Sequence, residues 1–419
     1  MTVCRLVSVR SLLAHFWGIM KSILPLLAVL LTVPCVPALS EAPLDRAIFV
    51  DSRSSTVQHA AGLEGPAQRD ALRLSSIASA AWFTDGTSET VEAKVRDLVD
   101  RAEAAGHVPV LVAYNIPFRD CALYSAGGAA DGSAYLSWIR GFAAGIGTRE
   151  AIVILEPDGL GVIPWHLTLD GKLENCRPAG PGEDAADARY AQLRGAVAIL
   201  ADLPKARLYL DGTGSSWLAP GETAARLIKA DVARAAGYFL NVSNFESDAR
   251  VVPYARWVSD CIALVTRGAV EPADCPSQYS PAAFEDHSTW GATDAAYAKL
   301  FEKAGVKRDP ASQKHAVIDT SRNGRGSWRP PAGKYEDAEV WCNPPGRGLG
   351  RRPTLESGDA YVDAFLWIKI PGESDGACHR GRGGPADPER GLTAPPAGSW
   401  FSEQARELIE FANPPLKEE

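Results

Sequence analysis

Four aspartates occupy short polar motifs that directly follow apolar runs of the chain. They are Asp120 in NIPFRDC, Asp158 in LEPDG, Asp211 in YLDG and Asp375 in GESDG. Carboxylates held close together repel one another, which raises the pKa of at least one of them and keeps a general acid available near neutral pH. Glycoside hydrolysis requires such a pair, because one carboxylic acid protonates the leaving oxygen while a carboxylate activates water or attacks the sugar.

Aromatic residues near these motifs indicate that the ligand is a sugar. Trp82, Trp217 and Trp341 border polar loops rich in glycine or proline, and Tyr114 directly precedes NIPFRDC. The C–H faces of sugar rings pack on such aromatic rings, while neighbouring polar side chains bind the hydroxyls. Most tryptophans in a protein belong to its core, and Trp367 within FLWIKI is interpreted in that way.

Seven apolar runs, separated by amphipathic segments, must position these residues. Runs that are apolar on both faces and alternate with helices favour a parallel sheet covered by helices. Polar residues such as Asn115, Asn244 and Asp319 gather at the C-terminal ends of the runs, where β/α barrels build their sites. We therefore expect an α/β fold, a closed or nearly closed seven-stranded parallel β/α barrel (TIM-like), with Asn244 among the substrate contacts. The runs cover residues 77–83, 107–116, 151–158, 206–212, 237–244, 314–324 and 364–374.

Two other chemistries have no support in the motifs. No G-x-G-x-x-G motif follows the first apolar run, as a dinucleotide site would require. The stretch GTGSS at 212–216 is not G-x-S-x-G, so a hydrolase nucleophile elbow is not indicated.

The N-terminus resembles a secretory signal peptide. Residues 1–40 contain the apolar run ILPLLAVLLTV after Lys21 and small residues before Glu41, and Met20 offers an alternative start. The run is too short to span a membrane comfortably. We expect cleavage to leave one catalytic domain, residues 41–419, secreted to the extracellular space or the periplasm without membrane contact.

The net charge and the cysteines indicate which ligands and which compartment to expect. The formal net charge is −8, and loss of the three basic residues Arg5, Arg10 and Lys21 makes it −11. A chain this acidic is not expected to bind nucleic acid. The cysteines show no C-x-x-C spacing, so no metal site is predicted. Six cysteines remain beyond residue 40, an even number that predicts disulfides in an oxidising compartment: Cys121, Cys176, Cys261, Cys275, Cys342 and Cys378.

Eight short sequence motifs follow one another along the chain in a recognisable order. They are VLVAYNIPFRDCA, ILEPDGL, LYLDGTGSSW, NVSNF, VIDTSRNG, WCNPPGRGLGRRP, GDAYVDAFLWIKIPGESDG and ANPP. The ordered set, which covers roughly residues 45–416, resembles glycoside hydrolase family 6, a family of endoglucanases and cellobiohydrolases acting on β-1,4-glucan. The resemblance implies a distorted seven-stranded parallel β/α barrel and hydrolysis with inversion, without a metal or organic cofactor.

The resemblance also implies a role for each of the four aspartates. Asp158 matches the general acid, and Asp120 matches the aspartate that keeps the pKa of the acid high and helps to organise the catalytic water. Asp375 matches the residue proposed as the base, and Asp211 matches a supporting carboxylate. Tyr114 matches the tyrosine beneath the reacting sugar.

Substrate contacts and disulfides are implied in the same way. Lys369 and Glu373 match polar sugar contacts. The pairs Cys121–Cys176 and Cys342–Cys378 match the two disulfides of the family, so Cys261 and Cys275 are extra and are predicted to clip a local loop. The residues that match subsite tryptophans are Trp82, Trp217 and Trp341.

We therefore expect a secreted, monomeric, inverting endo-β-1,4-glucanase that binds β-1,4-glucan polysaccharide or oligosaccharide. Internal cutting is favoured because Cys378 follows Asp375 by only three positions, which leaves no room there for a loop covering the cleft. The insertion at 266–280 offers another cover, so a cellobiohydrolase is one alternative. A catalytically impaired glucan-binding protein is the other, because Ala126 stands where the resemblance predicts a serine that holds the catalytic water, with Ser125 beside it.

Overall fold

A computed structural model describes residues 46–180, 182 and 184–417, and the predicted signal peptide at 1–40 lies outside the described residues. The described part contains a parallel sheet of seven strands, in which each strand is hydrogen-bonded to the next one along the chain. Each strand overlaps one of the seven predicted apolar runs. The strands are β1 (Ala81–Phe83), β2 (Val110–Ala113), β3 (Ala151–Leu155), β4 (Ala206–Asp211), β5 (Gly237–Leu240), β6 (His315–Asp319) and β7 (Val362–Leu366).

In the described residues, helices return the chain between successive strands from β1 to β6, and a long connection without a helix leads from β6 to β7, so all the strands run parallel. They carry apolar residues at helical spacing, as in Val91, Val95, Leu98 and Val99 of the helix between β1 and β2. The helices of the described residues are α1 (Ser55–Ala61), α2 (Gly65–Ser75), α3 (Ser88–Ala104), α4 (Gly132–Ile146), α5 (Ala185–Leu200), α6 (Pro220–Lys229), α7 (Asp248–Val265), α8 (Gly291–Ala304) and α9 (Ser402–Glu410).

Both faces of the sheet are buried, which is why the strands are apolar throughout. In β3, Val153 and Leu155 pack in the layer between the sheet and the helices. Ile152 and Ile154 belong to a second cluster formed by side chains on the opposite face, with Val112 of β2 and its neighbours. Successive side chains of a strand alternate between the two faces, so a single strand contributes to both clusters.

The first and last strands come together, so the sheet curls into a nearly closed barrel. The N–H of Ala80, just before β1, donates to the carbonyl oxygen of Trp367, just after β7, at 2.9 Å. The indole N–H of Trp82 donates to the carbonyl oxygen of Ile368 at 2.8 Å. The predicted fold class, a distorted seven-stranded parallel β/α barrel, is confirmed.

Three disulfides brace the connections. Cys121 pairs with Cys176 and Cys342 with Cys378, as the resemblance implies. Cys261 of α7 pairs with Cys275, which ties the insertion at 266–280 to that helix. Among the described residues, no helix combines the length and the apolar character of a membrane span, and no group of three His, Cys, Asp or Glu side chains is arranged to hold a metal ion.

Candidate active site

A cavity of about 420 Å³ opens at the C-terminal ends of the strands. It is where the polar motifs converge, because parallel strands deliver their C-terminal residues to the same end of a barrel. The predicted residues Asp211 and Glu373 lie behind its wall. Nine other predicted site residues line it: Trp82, Tyr114, Asp120, Asp158, Trp217, Asn244, Trp341, Lys369 and Asp375.

A larger depression of about 1110 Å³ lies beside the segments that precede β1 and β7. Among the described residues that line it, Glu356 supplies the one carboxyl group. Paired carboxyl groups, which acid–base chemistry requires, are therefore found in the smaller cavity.

Asp158 lies at the turn that follows β3. Its φ of 65° and that of Glu156, 51°, show that the chain reverses sharply here, and Gly159 donates its N–H to the Glu156 carbonyl oxygen at 2.8 Å. Burial raises the pKa of Asp158 well above its usual value, and the negative charge of Asp211 is the next largest cause. The raised pKa favours the protonated form of Asp158, which can donate a proton.

Asp120 faces Asp158 from the loop after β2. Its Oδ2 accepts the backbone N–H of Ser125 at 2.7 Å. Burial raises the pKa of Asp120, while the Ser125 N–H and the charge of Arg119 oppose that rise. The neighbouring disulfide Cys121–Cys176 anchors the loop, and Ser125 rather than Ala126 lines the cavity beside Asp120.

Asp375 differs from the other two, because its pKa is lowered instead of raised. Burial alone would raise its pKa, but the charges of Arg322 and Lys369 bring the pKa below its usual value. Arg322 Nη1 donates to both carboxylate oxygens at 3.0 and 2.8 Å, and the Lys369 ammonium lies 3.5 Å away. The backbone N–H of Asn343 adds a bond of 2.9 Å. This negative charge in turn helps to raise the pKa of Asp158 and Asp120.

Two buried carboxyl groups stand behind the cavity wall. Asp211 accepts the N–H groups of Leu160 and Gly161, and burial raises its pKa to about 6. Glu156 accepts the N–H groups of the two residues that follow Tyr114, and burial raises its pKa to about 7. Both groups hold the backbone of the turns that carry the aspartates, so they support the site without lining it.

Aromatic rings form the walls around the carboxyl groups. Trp82 meets Tyr114 edge-on, with ring centroids 5.3 Å apart, and Arg119 lies over the Tyr114 ring at 4.6 Å. Trp341 packs beside Tyr124 of the Asp120 loop, at 5.8 Å. The walls therefore offer both flat apolar faces and polar groups, as a sugar ring requires.

The polar substrate contacts implied by the resemblance differ in accessibility. Lys369 and Asn244 line the cavity. Glu373 instead accepts a hydrogen bond from the Ser55 hydroxyl at 2.6 Å, and burial raises its pKa. Glu373 therefore lies between α1 and Lys369, whose charge opposes that rise.

Two arginines that organise the site are absent from the residues predicted from sequence. Arg322 lies in DTSRNG directly after β6, and its position at a strand end could have identified it as a site residue. Arg189 lies within α5, which gave no such signal. Its buried guanidinium donates to the carbonyl oxygens of Pro117 at 2.8 Å and Gly159 at 3.0 Å, so it joins the loops that carry Asp120 and Asp158.

Known proteins share the sequence pattern and the fold of this chain. A model of the family described as Glycosyl hydrolases family 6 matches residues 45–412. Endoglucanase A of Thermobispora bispora is 33% identical over 337 residues, which are 79% of this chain but 58% of that protein. This chain therefore spans little more than half the length of that relative. A protein of Aspergillus terreus described as a probable 1,4-beta-D-glucan cellobiohydrolase C is 27% identical over 82% of this chain and 69% of its own length.

A solved structure shows the same fold. It is the endoglucanase Cel6 from Mycobacterium tuberculosis in complex with methyl-cellobiosyl-4-deoxy-4-thio-β-D-cellobioside. The TM-score is 0.64 at 31% identity, over 88% of this chain and 98% of that chain.

Proposed function

This chain belongs to glycosyl hydrolase family 6, and we propose that it is an inverting endo-β-1,4-glucanase that hydrolyses cellulose or a related β-glucan. The observation that carries the proposal is the contrast between Asp158 and Asp375 in one cavity. Burial raises the pKa of Asp158, while the charges of Arg322 and Lys369 bring the pKa of Asp375 below its usual value. Environments that push two pKa values apart define the acid and the base of such a reaction.

In the proposed reaction, Asp158 donates its proton to the glycosidic oxygen as the bond from that oxygen to C1 breaks. A water molecule attacks C1 from the opposite face of the sugar, and its proton passes to a carboxylate. The new bond forms on the face opposite to the broken one, so a β-linkage yields an α-product.

Two carboxylates are candidates for the base. Asp375 is the residue implied by the resemblance, and its ion pairs with Arg322 and Lys369 favour its ionised form. The same ion pairs make it a weaker base than a free aspartate. Asp120, with a pKa raised by burial, binds a proton more readily and orients the water beside Ser125.

Internal cutting is supported by the exposed rim of the cavity. Leu123 and Val340 line the cavity and remain 57% and 44% exposed. The T. bispora endoglucanase is also more similar to this chain than the A. terreus cellobiohydrolase is. A glucan chain entering an open cleft can bind at any point along its length.

A cellobiohydrolase is the second candidate, and one contact favours it. The Tyr124 hydroxyl, on the Asp120 loop, donates to Glu339 Oε1 at 2.7 Å. Two loops that border the cavity are therefore in contact, and such a contact partly covers the cleft. The insertion at 266–280 does not line the cavity in the described structure.

One experiment separates these functions. Proton NMR of the first product from cello-oligosaccharides should show the α-anomer, and carboxymethylcellulose should lose viscosity rapidly while few reducing ends appear. Initial β-product would contradict inversion. Cellobiose from the earliest times with little loss of viscosity would identify a cellobiohydrolase, and glucan binding without hydrolysis would identify an impaired binding protein.

Secretion, a single catalytic domain at 41–419 and a monomeric state complete the proposal. Three disulfides in the described residues support an oxidising compartment. Mass spectrometry of the N-terminus of the exported protein tests cleavage before Glu41, and light scattering tests the monomer.

A further inference from the structure

An exposed aromatic ring adjoins the cavity from outside. Tyr279 belongs to the insertion at 266–280, is 45% exposed, and donates its hydroxyl to the carbonyl oxygen of Trp217 at 3.4 Å. Trp217 lines the cavity and is 39% exposed. The two residues therefore form neighbouring aromatic positions, one at the rim and one beyond it.

The backbone around Tyr279 is fixed to the turn that carries Trp217. The buried amide of Gln278 donates to the carbonyl oxygens of Ser215 and Leu218 at 2.9 and 3.0 Å. The disulfide Cys261–Cys275 holds the start of the same segment on α7. A ligand that binds both aromatic positions therefore pays little ordering entropy on the protein side.

One side of the Tyr279 ring is already packed. Phe284 lies 5.3 Å from it at an interplanar angle of 33°, and the guanidinium groups of Arg250 and Arg329 lie over Phe284 at 4.9 and 5.2 Å. The exposed area of Tyr279 therefore belongs to the side away from Phe284. A rigid aromatic face with charged groups nearby suits a sugar, which presents C–H faces and hydroxyls together.

We propose that Tyr279 is an additional glucan-binding subsite, continuous with Trp217, that engages chains extending beyond the cavity. The inference rests on the proposed function, because the ligand is the glucan bound in the cavity. Continuity with Trp217 favours this ligand over a protein partner. The subsite makes affinity rise with chain length.

The test measures binding in an Asp158→Asn background, so that hydrolysis does not consume the ligand. Calorimetry compares cellohexaose with cellotetraose. Tyr279→Ala should weaken binding of cellohexaose about 3- to 10-fold more than binding of cellotetraose, as loss of one aromatic contact predicts. Tyr279→Phe keeps the ring and should stay within about twofold of the parent. Leu72→Ala removes an exposed apolar side chain from α2 as the control.

Equal losses for both oligomers would overturn the subsite, because they would indicate a disturbed Trp217 turn. Unchanged binding of cellohexaose would overturn it as well. In both cases the proposed function stands, because the parent still binds glucan. A parent that binds neither oligomer contradicts the proposed function itself, and the subsite falls with it.

Discussion

Replacing Arg322 with methionine tests whether its charge keeps Asp375 ionised and the fold stable. The guanidinium is fully buried and contacts both oxygens of Asp375, which is also buried. Removing one partner of a buried ion pair typically costs about 3–5 kcal/mol, because the other charge is left unpaired. Lys369 at 3.5 Å and the N–H of Asn343 at 2.9 Å remain, so we expect the lower end, about 3 kcal/mol of unfolding free energy at neutral pH.

The loss of unfolding free energy in Arg322→Met depends on pH. In the parent, the lowered pKa of Asp375 stabilises the fold above its ordinary pKa, and this contribution is lost as the pH falls through the folded value. In Arg322→Met, burial is no longer offset by the guanidinium, so the pKa of Asp375 rises. The variant's stability deficit should therefore shrink in acid, where Asp375 takes up a proton.

Urea unfolding at several pH values measures the stability, and kcat/KM on a soluble glucan gives the pH profile. The acidic limb of this profile should move to higher pH, because the site needs the ionised carboxylate of Asp375. Arg308→Met is the matched control, since it removes the partner of the buried Asp260 outside the cavity. It should destabilise the fold and leave the limb in place. An unmoved acidic limb in a folded Arg322→Met variant would refute the reasoning.

Three further predictions concern other parts of the site. Asp158→Asn should lose nearly all activity on cellulose, at least about 100-fold, and recover part of it on substrates whose leaving group needs no proton; full activity on cellulose would exclude Asp158 as the acid. Arg189→Lys should lower kcat more than it raises KM, because a lysine cannot bridge both loops; steady-state kinetics would contradict this if KM alone changed. Replacing Cys121 and Cys176 by serine opens a loop with a sequence separation of 55, so the free energy of unfolding should fall by about 4 kcal/mol in unfolding assays and most activity should be lost in rate assays. An unchanged kcat in the folded variant would show that Asp120 is held by other contacts.

Much of the fold was predictable because strands and helices differ in hydrophobic period. The seven strands are apolar on both faces, and helices such as α3 repeat their apolar residues with a helical spacing. The observed strand order agrees with the expected β/α barrel, in which strands that follow one another along the chain pair. The cavity that holds the aspartates could be located for the same reason, because polar motifs at strand ends meet at one end of a barrel.

The different acid–base roles of the aspartates could not be predicted from composition or spacing. Asp158 and Asp375 both follow apolar runs, and each is flanked by glycine. What separates them is Arg322, which is 53 positions from Asp375 in sequence and in contact with it in space. A pKa depends on burial and on charges within a few ångströms, and only the folded chain sets those distances.

Local pattern was enough to predict the parallel sheet, the end of the barrel that holds the polar motifs and the carboxyl groups that gather there. Hydrophobic period and motif position are local properties, so they can be read along the chain. Contacts in the folded chain set which carboxyl group has a raised pKa, how Arg189 joins the two loops, and that Tyr279 lies beside Trp217. Each of these depends on contacts between distant segments, which local pattern does not encode.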